Sequence, residues 1–167
     1  RPAEAALTEA LRLRLLIGGQ EIASDYHDLA EIQLHAGRPA ESLRLLNLAE
    51  PRLPASRRFL KWRLYLLRGR VHLALGAPAA ALTDLRRAVR GIDASPTFRL
   101  PGDLLRSHAE RPTEAHELFA EAALSEFDRT GNRQLLREAF AVTEAGRAAA
   151  LRLASAGPPV APDAAAR

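Results

Sequence analysis

Displaced by 39 residues, the chain lies on itself: Tyr26 falls on Tyr65, Ala30 on Gly69, Ile32 on Val71, Leu34 on Leu73, Gly37 on Gly76 and Pro39 on Pro78. The correspondence continues through Ala40 and Ala79, Leu43 and Leu82, Leu46 and Leu85, and Ala49 and Ala88. Within each unit the apolar positions recur at helical spacing on either side of the glycine. Each glycine supplies the left-handed turn that ends a helix, and each following proline suits the first turn of the next. The small residues Ala30 and Gly69 let a neighbouring helix approach closely, and Leu43 and Leu46 are expected to fill the space between pairs. Such a two-helix unit cannot hide its apolar face alone, so successive units must stack.

The same punctuation divides the rest of the chain. Pro2 opens a first helix through Leu7, Leu11, Leu15 and Leu16, closed by Gly18-Gly19. A second runs over 21–36, and a third opens at Pro39 and is stopped by Pro51 and Pro54. The spacing predicts further helices over 56–75 (through Phe59, Trp62, Tyr65, Leu66 and Leu73) and over 78–90. From Gly91 to Pro112 prolines interrupt the pattern, leaving room for one short helix over 103–108. Two long helices follow, over 113–129 and 133–154, the latter through Leu136, Phe140, Val142 and Leu151, with Gly131-Asn132 as their turn. Residues 1–156 are expected to form one helical repeat domain of about seven to eight helices, and the Pro/Ala-rich residues 157–167 a linker. The fold class is all-α, an α/α superhelical solenoid. Ala, Leu and Arg, the abundant residue types, are strong helix formers. Lys61 is the only lysine, a bias that reads as GC-rich bacterial coding rather than as a binding mode.

At the repeated positions the sequence resembles the tetratricopeptide repeat family. That family's small, glycine and small residues correspond to Ala30, Gly37, Ser42 and Ala49, with Pro54 closing the unit, and then to Gly69, Gly76, Ala81 and Ala88. Three features depart from the pattern. Asp93 replaces the closing proline of the second unit, Gln33 and His72 stand where an aromatic is usual, and the segment 51–56 lengthens the repeat beyond the typical length of about 34. A third unit covers 117–153. There Glu138-Ala139-Phe140, Glu144, Arg147-Ala148 and Leu151 resemble the last repeat before the caspase-like protease of bacterial tetratricopeptide–CHAT proteins, except that Gly146 replaces an Ala or Ser. The resemblance implies a regulatory or partner-binding repeat region, with any protease following Arg167. The second reading is the sensor repeat of a signalling or transcription-regulator protein. Arg1 in place of Met, and the absence of Met throughout, read as a piece of a longer polypeptide.

No catalytic machinery is expected here. With no cysteine there is no thiolate nucleophile, thiolate metal site or disulfide. His27, Glu31 and His35 lie at i, i+4 and i+8 on one helix face, but that spacing is not a specific metal signature, and no HExxH pattern occurs. Gly-rich phosphate loops are absent too, so neither metal nor cofactor is expected. No apolar run approaches the roughly 20 residues a membrane span requires, and Glu4 and Glu9 break any signal-peptide pattern. A cytoplasmic location follows by default.

Charge carries the functional reading. From Pro51 to Thr83 there is no acidic residue, while Arg52, Arg57, Arg58, Lys61, Arg63, Arg68 and Arg70 all occur. Arg63 and Arg70 are two helical turns apart and share a face. In tetratricopeptide arrays the first helix of each pair lines a concave groove. The repeat register therefore places Ser24, His27 and Glu31 on that groove, with Arg63, Leu66 and Arg70 beside them. The guanidinium fork suits carboxylates. The expected partner is a protein or peptide, acidic or ending in a carboxylate, or a neighbouring domain of the same polypeptide. A solvated basic helix with arginine stems over apolar surface is the alternative. Nucleic acid is not expected, because Phe59, Trp62 and Tyr65 fit core packing better than base stacking.

Overall fold

The computed structural model describes residues 2–17, 21–53, 61–94 and 112–155. Every regular element among them is helical: α1 (Pro2–Ile17), α2 (Ile22–His35), α3 (Pro39–Ala49) with a 3-10 turn at Glu50–Arg52, α4 (Lys61–Ala74), α5 (Pro78–Asp93), α6 (Pro112–Thr130) and α7 (Arg133–Ser155). The expected helix over 103–108, the Gly18-Gly19 stop, Pro54, Phe59 and the linker 157–167 lie outside the described residues.

The glycines make the turns expected of them. Gly37 and Gly76 adopt φ of 71° and 68°. Gly37 N–H donates to the Leu34 carbonyl at 3.0 Å and Arg38 N–H to Gln33 at 2.9 Å. Gly76 and Ala77 repeat this pair onto Leu73 and His72, both at 2.9 Å. These are the two bonds of a Schellman cap, which satisfies the last carbonyls of the helix. Pro39 and Pro78 then occupy the first turns of α3 and α5, and the two hairpins are built alike. The third differs: Gly131, at φ 69°, makes a single bond to the Phe127 carbonyl at 2.7 Å, and the Asn132 side chain caps α7 by accepting from Gln134 N–H at 3.0 Å.

Helices adjacent in sequence pack on one another from α1 to α7, across the α3–α4 and α5–α6 connections as well, and α4 also meets α2 and α6. The apolar residues form two cores. One gathers Leu11, Tyr26, Leu29, Ala30, Leu45, Leu46 and Ala49 around Leu64, Leu67 and Val71 of α4. The other gathers Leu82, Leu85, Val89, Phe119 and Leu135 around Trp62 and Leu66 of the same helix. Helix α4 is thus packed on two sides, which is why its apolar residues fall on two faces, Trp62 with Leu66 and Leu64 with Leu67 and Val71, instead of a single stripe.

Small residues sit where helices cross. A Cβ on Gly69 would lie 2.6 Å from Leu85 Cγ, so Leu85 fills the space inside its own hairpin rather than between pairs as the register suggested. In the preceding unit the Ser42 hydroxyl, fully buried, donates to the Ala30 carbonyl at 2.7 Å.

Several expected core positions are corrected. Ala40 and Ala79 are exposed, and the buried stripe of α3 is Ser42, Leu45, Leu46 and Ala49. Helix α5 runs on through Gly91 to Asp93, past the expected end at residue 90, and Gly91 lacks a side chain where Trp62 Cβ would stand 2.8 Å from an added carbon. Pro112 opens α6. Leu16, Phe140 and Leu151 point outward; Leu16 stands five residues from the buried Leu11, well off its face at 3.6 residues per turn.

Candidate functional site

The first helices of the three hairpins, α2, α4 and α6, line one concavity of about 390 Å³. All five residues singled out from the sequence border it: His27 and Glu31 from α2, and Arg63, Leu66 and Arg70 from α4. The repeat register explains the alignment, since Leu66 and Arg70 stand 39 residues after His27 and Glu31. Ser24 does not line the concavity although it occupies the register position of Arg63, which does.

Asp28, His35, Trp62, Leu67 and Glu114 complete the lining. Asp28 and Leu67 obey the same offset and were within reach of the sequence argument. Glu114 was not, because it comes from α6, outside the aligned units. Trp62, Leu66 and Leu67 are buried and form an apolar floor. Charges stand round it. Arg70 sits between two helices' carboxylates, with Nη1 3.8 Å from Glu31 and Nε 3.7 Å from Glu114. His27 Nδ1 lies 3.4 Å from Asp28 Oδ1, and His35 Nδ1 lies 2.9 Å from the Glu31 carbonyl oxygen.

The two arginines meet three carboxylates, so with both histidines neutral the lining sums to −1. The sequence placed one acid, Glu31, among the groove residues; the lining holds Asp28 and Glu114 as well. Helices α2 and α6 thus bring to the groove the acids that the local sequence of α4 lacks. Among the described residues, no group of three His, Asp or Glu side chains is disposed to hold a metal ion.

Neither is α4 a solvated basic helix. Arg68 is buried, its Nε and Nη2 donating to Asp84 at 2.8 and 2.9 Å, its Nη1 to Glu50 at 2.7 Å. Burial works against the guanidinium charge, but these two carboxylates outweigh it and hold the Arg68 pKa above its ordinary value. Glu50 shows the counterpart: burial raises its carboxyl pKa, while Arg68 and the Tyr65 hydroxyl, which donates to it at 2.8 Å, bring it below the ordinary value. His72 lies 3.5 Å from Asp84, and burial depresses its pKa, Asp84 opposing and Arg68 assisting. This network locks α4 to α5 and to the turn after α3, behind the groove.

Fold and site together define an all-α protein of consecutive helical hairpins whose first helices share a mixed-charge concavity over an apolar floor. Comparison with protein-family models, with curated proteins and with solved structures yields no match. Among the described residues no helix is long and apolar enough to cross a membrane.

Proposed function

We propose that the chain is a tetratricopeptide-like repeat scaffold, its hairpins stacked as a short superhelical solenoid. Its concavity holds a peptide or a neighbouring domain, and catalysis is left to other polypeptide. The resemblance of the α7 sequence to the helix that precedes CHAT proteases makes a bacterial, cytoplasmic parent of that type the reading we favour. The observation that carries the binding role is the convergence of α2, α4 and α6 on one lining, with buried Trp62, Leu66 and Leu67 at its floor. A concave apolar surface with a few charged groups at its edge is the usual form of a recognition site. Arg63 and Arg70 are placed to receive a carboxylate, while Asp28, Glu31 and Glu114 require the rest of the partner to be neutral or basic.

Peptides selected from a random library on the folded chain provide the test. Arg63→Glu combined with Arg70→Glu is expected to weaken groove-bound peptides by about tenfold or more, roughly 1.4 kcal/mol, with unchanged helicity by circular dichroism. Thr83→Glu, on the exposed face of α5, is the control and should leave affinity as it was. Binding indifferent to the double reversal refutes the assignment.

A further inference from the structure

Helix α7 rests on α6 through Leu135, Ala139 and Gly146, and among the described residues no element packs on its other face. That outer face carries Phe140 and Leu151, each 70% exposed. Aligning the buried small residues Ala139 and Ala81 puts Phe140 where Leu82 stands in α5, and Leu82 is only 2% exposed. In α5 that position is covered by the next hairpin, through Ala115 and Phe119 of α6. Here two large apolar side chains remain.

Between them stand Glu144 and Arg147, also exposed and joined to each other at 2.8 Å. The four residues follow steps of four, three and four, so at about 100° per residue they lie within a stripe roughly 60° wide. The stripe is its own complement. Turned end for end it presents leucine, arginine, glutamate and phenylalanine at the same intervals. Two such helices laid antiparallel about a two-fold axis would set Phe140 against Leu151 of the second copy and Glu144 against its Arg147, each pairing occurring twice. This is what a contact between identical surfaces requires. The exposed Ala141 and Ala148 beside the stripe offer no bulk to hold the backbones apart.

We propose that the outer face of α7 is a two-fold contact between copies of this chain, closed by the Phe140–Leu151 and Glu144–Arg147 pairs. One helix pair alone buries an area at the low end for stable complexes, so the association is weak and concentration-dependent.

Sedimentation velocity on the 167-residue chain, from about 1 to about 500 µM, reads the outcome. Wild type should pass from monomer to dimer. Glu144→Arg or Arg147→Glu alone turns two attractions into two like-charge contacts and should weaken the dimer by about tenfold or more. The two reversals combined restore the complementarity and should recover affinity to within about threefold. Phe140→Ser with Leu151→Ser should leave a monomer of unchanged helicity and Tm, since both side chains are exposed. Leu16→Ser, on the exposed face of α1, should change nothing. A wild type monomeric throughout overturns the proposal, as does a dimer indifferent to the reversals or one lost on Leu16→Ser. In the first case the stripe belongs to a different protein or domain.

Discussion

Replacing Asp84 by alanine tests whether the buried charge network holds the repeat together. The Arg68 and Asp84 side chains are 8% and 6% exposed, and their two hydrogen bonds measure 2.8 and 2.9 Å. Losing one partner of a buried pair costs about 3–5 kcal/mol, because the other charge stays out of water without compensation. Here Glu50 keeps one bond to Arg68 from a side chain 31% exposed, which puts Asp84→Ala at the lower end, about 3 kcal/mol. For a chain of this size each kcal/mol moves Tm by about 2–4 °C, so a fall of about 6–12 °C is expected. Urea denaturation followed by circular dichroism checks the free energy directly, and an unchanged slope would show that the surface exposed on unfolding is the same. The complementary variant, Arg68→Met with Asp84→Leu, removes both charges and should regain stability to within about 1 kcal/mol of wild type. An Asp84→Ala cost under about 1 kcal/mol, or a double variant as damaging as the sum of its parts, refutes the reasoning.

Gly76→Ala should cost about 1–2 kcal/mol through backbone strain alone, since φ is +68° and nothing lies within 4 Å of the added carbon; chemical denaturation measures it. Gly146→Ala should cost about 1–2 kcal/mol for the opposite reason: its carbon would stand 2.8 Å from His116 Cγ, which outweighs the gain in helix propensity. Combining it with His116→Ala should cost less than the sum, as read by a double-mutant cycle. His72 has a pKa held below its ordinary 6.5, so the unfolded chain binds its proton more readily. That contribution to stability is complete above pH 6.5 and is lost as pH falls through the folded value. Unfolding free energies of wild type and His72→Gln, compared from about pH 5 to 7, should diverge by up to roughly 1 kcal/mol per pH unit.

The hairpins were legible because their boundaries are local chemistry. A glycine forced to positive φ and a proline at a first helical turn state the break without reference to the rest of the fold, as Gly37 with Pro39 and Gly76 with Pro78 do. The groove face was legible for a related reason: an offset that superposes Tyr26 on Tyr65 also carries His27 to Leu66 and Glu31 to Arg70. Arg68 was not, since a basic run reads alike whether solvated or enclosed, and its partners Asp84 and Glu50 lie 16 and 18 residues away. Gly91 was placed just beyond a helix end, and Gly146 was read as a departure from a family pattern. Both are places where Trp62 and His116 of another helix need the room, which only the assembled packing discloses. Phe140 and Leu151 sat at helical spacing, but spacing alone does not say which stripe of α7 faces inward.

Because α4 gives Leu64, Leu67 and Val71 to one core and Trp62 and Leu66 to the other, the two halves share an element that neither can surrender. Removing everything before it strips the cover from the first set, and removing everything after it strips the second. Fraying that travels inward from either terminus has to halt at this helix or carry the whole chain with it. The groove floor therefore lies at the point where local opening is least frequent.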